Sequence, residues 1–149
     1  MATRILVAVD GSATGEKALL EALTFSRALN AEIHALYVAP SNNYPLTPPS
    51  PAFSRLDPTY EVLGRIVDEE IGNIQSRMKE IAAGAGAELT IHITRGDARH
   101  EIISLAQRLG ADLIVLGSVG RSRLDRLLLG SVSSYVVEHS PISTLVVRP

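Results

Sequence analysis

Two glycine-bearing stretches late in the chain hold the residues best suited to chemistry. Gly117-Ser118-Val119-Gly120 and Gly130-Ser131 are separated by nine residues. Before them runs Asp112 to Leu116, a short apolar segment that predicts a buried strand. After them, Ser131 to His139 predicts a helix with Ser131 at its start. Between a strand and a helix N-terminus, bare backbone N–H groups can face an anion, and the helix dipole adds positive potential. Glycine also permits φ > 0 and lets the backbone approach a phosphate closely. Two early glycines and a third beside the helix start predict a loop folded over a polyphosphate. The competing reading is a glycine-rich connection that only turns a corner.

The pattern Gly-x2-Gly-x9-Gly-Ser resembles the nucleotide loop of the universal stress protein family. The resemblance runs from Ile5-Leu-Val-Ala-Val-Asp10 to Leu145-Val-Val-Arg148, essentially the whole chain. It implies ATP as ligand. In the family, an acidic residue at the position of Asp10 contacts the nucleoside, and the backbone of Tyr37-Val38-Ala39 meets the adenine ring. Ala8 resembles the small residue that lines the base site. Ser131 and the N–H groups of Val132 and Ser133 correspond to phosphate and ribose contacts. With Leu116 at the strand end and Arg121 and Arg123 in the loop, the expected binding set is Ala8, Asp10, Val38, Leu116, Gly117, Gly120, Arg121, Arg123, Gly130, Ser131, Val132 and Ser133.

Several of these residues admit a second role. Asp10 is also placed to cap a helix, although Ser12 competes for that task. Ser131 reads equally as an ordinary N-cap, and capping and anion binding draw on the same orphan donors. Ala8 reads equally as strand core. Arg121, Arg123 and Arg126 lie within the loop and suit screening of phosphate charge, with Arg126 read rather as a solvated side chain. Leu124, Leu127, Leu128 and Leu129 read as packing that pins the loop.

Other chemistries find less support. Gly11-Ser-Ala-Thr-Gly15-Glu-Lys17 lacks the spacing and the Gly-Lys-Ser/Thr ending of a Walker A loop. Gly117-Ser118-Val119-Gly120 misses the Gly-x-Ser-x-Gly nucleophile elbow by one place. His34, His92, His100 and His139 show no ligand spacing along one helix. Asp97, His100 and Glu101 cluster at one helix start, where capping is the expected task rather than metal binding. A Mg²⁺ carried by nucleotide phosphates is expected over an all-protein metal site. Nothing in the pattern marks a general base near a γ-phosphate.

Composition agrees with a binding module. At 149 residues, 46% hydrophobic and 20% charged, the chain is long enough for a packed core and reads as a single domain, 1–149. Its net charge of −2 and its lack of a dense Lys/Arg run argue against a nucleic-acid partner. It has no cysteine, which excludes disulfides and thiolate metal sites. No apolar run approaches the ~20 residues of a membrane span. The first strand begins almost at once, so the expected location is the cytoplasm.

The elements that must position these residues follow from periodicity. Ile5 to Val9 is continuously apolar, as in a strand covered on both faces. Ala18, Ala22, Phe25 and Leu29, with Leu19 and Leu23, predict the buried stripe of a first helix that Asn30 closes. Ile33 to Val38 predicts a second strand. Pro40 to Pro58 carries six of the eight prolines and predicts a long loop. A second helix follows to about Ala83, with Leu63, Val67, Ile71, Ile74, Met78 and Ile81 inward, Gly72 weakening its middle, and Gly84 and Gly86 ending it. Leu89, Ile91 and Ile93 alternate with Thr90, His92 and Thr94, as in a strand at a sheet edge with one covered face. A third helix holds Ile102, Leu105, Ala106 and Leu109 inward and stops at Gly110. The glycine loop and the fourth helix come next, then Pro141 and a last strand from Thr144 to Arg148.

Regular β-α alternation predicts a five-stranded parallel sheet with helices on both faces and right-handed crossovers, a Rossmann-like α/β fold. The resemblance implies the strand order 3-2-1-4-5 of the adenine nucleotide alpha hydrolase-like fold. That order sets a switch point between strands one and four, so Asp10 and Gly117 should face one crevice. The expected function is an ATP-binding regulatory module of the stress response. The alternatives are a scaffold that binds no nucleotide, or a slow ATP hydrolase or self-phosphorylating protein. The last strand is apolar yet lies at an edge, and the resemblance implies a homodimer paired along it.

Overall fold

The computed structural model describes residues 2–41, 58–120 and 129–149, with side chains of the middle stretch from Val62 onward. Most of the expected proline loop, and Arg121, Arg123, Arg126, Leu124, Leu127 and Leu128, lie outside the described residues. The elements are β1 (Arg4–Ala8), α1 (Ala13–Leu29), β2 (Glu32–Ala39), α2 (Pro58–Gly84), β3 (Thr90–Arg95), α3 (Ala98–Leu109), β4 (Leu113–Gly117), α4 (Ser131–His139) and β5 (Ser143–Val147). The strands form one sheet in the order β3-β2-β1-β4-β5. All pairs are parallel, with Val7 beside Ala35 on one side and Val115 on the other.

Central β1 explains the order. Ile5, Leu6 and Val7 are each 0% exposed, because alternate side chains enter two different cores. On one face Ile5, Val7 and Val9 pack with Leu19, Ala22 and Leu23 of α1 and Ile74 and Met78 of α2. On the other, Leu6 packs with Leu36, Ile114, Leu116, Ile102 and Leu105 of α3 and Val136 of α4. Truncating a fully buried Leu36 to alanine costs about 2–5 kcal/mol in such a setting. At the N-terminal end of the sheet, Arg4 ties three elements together. Its N–H donates to Asp112 Oδ2 at 2.9 Å, Nη1 to the Leu109 carbonyl at 2.9 Å, and Nε to Glu32 Oε2 at 3.0 Å.

The helix ends obey local rules. Asn30 closes α1 in the left-handed region at φ 51°, and Gly110 closes α3 at φ 62°. Arg77 of α2 grips Glu16 of α1 through Nε at 2.9 Å and Nη2 at 3.2 Å, and holds that carboxyl below its ordinary range. Exposed pairs of this kind contribute little to stability, about 1 kcal/mol at most.

Two expectations need correction. Phe25 and Leu29 are not core: they are 37% and 53% exposed. Phe25 lies at the rim of the buried arc, and Leu29 sits in the last turn, where the chain already bends back toward β2. Edge strand β3 also has two occupied faces rather than one. Ile91 and Ile93 pack on the α1/α2 side. On the α3 side His92 Nε2 lies 3.0 Å from His34 Nδ1, and the Thr94 hydroxyl oxygen is buried.

Candidate functional site

The cleft forms where the sheet changes direction. After β1 the chain crosses to α1 on one face; after β4 it leads to α4 on the other. The two carboxyl-terminal strand ends therefore part and leave a crevice. Its volume is about 280 Å³. Ala8, Leu36, Val38 and Leu116 form an apolar floor with Ala98 and Ile102 of α3. Asp10, Gly15, the run Gly117 to Gly120 and the run Gly130 to Ser133 form a polar wall. Every expected binding residue within the described residues lines this one cleft; Arg121 and Arg123 fall outside them.

Asp10 shapes the wall through its neighbours. Its Oδ1 accepts from the Ser12 N–H at 2.9 Å and from the Ser12 hydroxyl. Ser12 is the N-cap of α1, its Oγ accepting from Gly15 N–H at 3.0 Å. Asp10 thus holds the cap in place without being the cap. Gly15 is required here, since a Cβ would lie 2.8 Å from Asp10 Oδ1. The second carboxylate oxygen, Oδ2, faces Gly120, where a Cβ would come within 3.0 Å.

The glycines of the motif act through close approach, not through left-handed backbone. None of Gly117, Gly120 and Gly130 has positive φ, which corrects that part of the sequence argument. A Cβ on Gly117 would lie 2.8 Å from Thr14 Cγ2, so this glycine lets α1 press against β4. Gly130 is extended, at φ −68° and ψ 169°. Its N–H donates to the Ser118 carbonyl at 2.6 Å, and a Cβ there would sit 3.2 Å from that oxygen.

Ser131 is not the cap of α4. Gly130 occupies the N-cap position and has no side chain to bond the helix start. The nearby hydroxyl, Ser133 Oγ, turns back instead toward the carbonyls of Ser118 at 2.9 Å and Gly130 at 3.1 Å. The α4 start therefore presents backbone N–H groups and its dipole to the cleft, with exposed Ser131 beside them.

The arrangement can bind and orient. An apolar slot suits a planar ring, and bare N–H groups suit an anion. Asp10 is the one charged side chain among the described lining residues, and its Oδ1 is committed to Ser12. Asp97 caps α3 instead, accepting from Arg99 N–H at 2.9 Å. The Arg99 side chain, 2.8 Å away, holds the Asp97 carboxyl down to about 2. Among the described residues no three metal-ligating side chains cluster.

Sequence reasoning missed Ala98 and Ile102 as cleft residues. Helical period marks Ile102 as inward, and it is 2% exposed, but it serves the core and the cleft floor together. Leu36, Ser118 and Val119 were missed for a similar reason: their types carry no signal of their own. The strand-end position next to the glycines was the signal available.

A model of the universal stress protein family matches residues 1–148. Stress response protein NhaX of Bacillus subtilis is 33% identical, with 99% of this chain and 98% of that protein covered. The structure of universal stress protein UspA from Lactobacillus plantarum is 31% identical, covers 98% of this chain and 97% of its own, and superposes with a TM-score of 0.82. A universal stress protein in complex with cAMP is 24% identical with a TM-score of 0.69, covering 98% of this chain and 96% of that one. No helix among the described residues is long and apolar enough to cross a membrane. The chain belongs to the universal stress protein family.

Proposed function

We propose that this chain is an ATP-binding regulatory module of the stress response. The observation that supports it best is the cleft itself: a ring-sized apolar floor beside a helix start whose cap residue, Gly130, has no side chain. In this reading Ala8, Val38 and Leu116 receive the adenine, Asp10 the nucleoside, and Gly117, Gly120 and Gly130 to Ser133 the phosphates. Arg121 and Arg123 screen the phosphate charge, and Mg²⁺ rides on the phosphates, as this ion commonly does. That a protein of the same fold is held with cAMP supports an adenine nucleotide as the ligand class. The module works in the cytoplasm as a single domain that pairs along β5.

Mass spectrometry of freshly purified, denatured protein tests the ligand. Bound ATP is the expected result; ADP or AMP would favour a slow hydrolase, and an empty protein with no thermal shift on adding Mg²⁺-ATP would overturn the reading. Light scattering at micromolar concentration tests pairing, with a dimer expected. Val146→Lys should yield monomers. Val146 also packs in part on the α3/α4 core, so circular dichroism must show that the variant still folds.

A further inference from the structure

Two buried side-chain oxygens have no hydrogen-bond partner among the described residues, Thr94 Oγ1 and Ser118 Oγ. A buried hydroxyl without a partner is destabilising, so each calls for a reason. The two differ in place. Thr94 stands beside Val38 in the register but does not line the cleft. Ser118 lines it, with the whole residue 1% exposed.

The backbone of Ser118 is fully engaged. Its N–H donates to the Val147 carbonyl at 2.8 Å, and its carbonyl accepts from Gly130 N–H and Ser133 Oγ. The backbone is thus pinned while the buried hydroxyl is left without a partner. Ser118 lies one residue past β4 and two places on from Leu116, which packs on the α3/α4 face and lines the same cleft. Beside it stands the uncapped start of α4. The part of a ligand that belongs next to those N–H groups is anionic.

We propose that the Ser118 hydroxyl is a further ligand contact, donating its proton to a phosphate oxygen of a nucleotide in the cleft. It thereby favours phosphorylated nucleotides over free nucleosides. The inference rests on the nucleotide-binding reading and adds to it a side-chain donor among backbone ones.

The test is calorimetry with Mg²⁺-ATP, AMP and adenosine on the wild type, Ser118→Ala and Thr94→Ala, with melting curves of each protein alone. Ser118→Ala should weaken ATP and AMP about tenfold, as expected for a lost hydrogen bond to a charged group, and leave adenosine unchanged. Its melting temperature without ligand should hold or rise, because an unpaired buried hydroxyl is gone. Thr94→Ala should leave all three affinities unchanged. Equal weakening of adenosine and AMP would overturn the phosphate assignment. Unchanged ATP affinity with a lowered melting temperature would make Ser118 structural and overturn the contact. If the wild type binds none of the three, the nucleotide reading and this inference fall together; if it binds and Ser118→Ala binds equally, only this inference falls.

Discussion

Helices α3 and α4 pack on the same face of the sheet and begin beside the same cleft, yet their first turns are completed differently. At α3, Asp97 accepts from Arg99 N–H, and the Arg99 side chain in turn neutralises the carboxylate. At α4, glycine stands at the cap position and offers the first turn no side-chain bond. Helix α1 follows α3, with Ser12 as cap and Asp10 behind it. A side-chain cap satisfies the helix start and contributes to the fold; a glycine in its place forgoes only roughly a few tenths of a kcal/mol. The start with a glycine cap is the one whose donors its own cap residue does not occupy, as suits an external anion.

The largest test of that contrast is Gly130→Val. The backbone at φ −68° accepts valine, so the variant should fold with a modest loss of melting temperature. The new Cβ would lie 3.2 Å from the Ser118 carbonyl and crowd the contact that sets the start of α4 beside the cleft. ATP affinity should fall by about a hundredfold or more, and ligand-induced stabilisation should vanish. Wild-type affinity in this variant would break the contrast.

Asp10→Ala should have the next effect. About a tenfold loss of ATP affinity is expected, with a smaller loss for Mg²⁺-triphosphate that lacks the nucleoside. The protein without ligand should also melt earlier, since Ser12 loses both of its bonds to Asp10. Equal losses for the two ligands in calorimetry would move Asp10 away from the nucleoside.

Asp97→Ala sharpens the contrast from the other side. Melting temperature should drop and ATP affinity stay as it was. Acid should mimic the change in the wild type. The Asp97 carboxyl is held down to about 2, chiefly by Arg99, so its contribution is complete above the ordinary 3.8 and is lost as pH falls through that window. A fall in ATP affinity matching that of Asp10→Ala would erase the distinction between the two helix starts.

The smallest effect concerns the His34–His92 contact, far from either cap. Burial, then His34 and Arg108, push His92 below its ordinary 6.5. The folded protein therefore binds fewer protons than the unfolded chain just below pH 6.5, and stability should decline there as pH falls. Melting curves from pH 7.5 to 5 should show a decline that His92→Gln reduces. An identical profile in the variant would remove His92 as its source.

Much of the fold was legible in the residues. The unbroken apolar run of β1 announced a strand buried on both faces; β3 does lie at an edge, but the single covered face read from its alternation is not what puts it there. Strand order was another matter: period and polarity mark elements, whereas the order needed the family resemblance. Phe25 and Leu29 misled because apolar spacing says which arc of a helix faces inward, not where along the helix the sheet ceases to cover it. At the site, the glycines were recognised for a partly mistaken reason. Gly117 and Gly130 are set by neighbours distant in sequence, Thr14 and the Ser118 carbonyl, which spacing cannot disclose. The cap of α4 was misassigned to Ser131 because serine favours caps in general, whereas here the Ser133 hydroxyl is drawn to carbonyls behind the helix.

Ser133 has one more consequence. Its hydroxyl and the Gly130 N–H both fasten onto the single Ser118 carbonyl, so the two ends of the glycine motif are joined directly. The intervening residues connect two points that are already held together, so they close a loop in the chain whatever path they take. Lengthening such a loop adds only a slowly growing entropic penalty, about 0.6 kcal/mol per doubling. A reporter peptide inserted after Arg126 can therefore lengthen this connection while the ends of the motif stay in register and Arg121 and Arg123 are kept, which makes that point a natural place to engineer a readout of ligand binding.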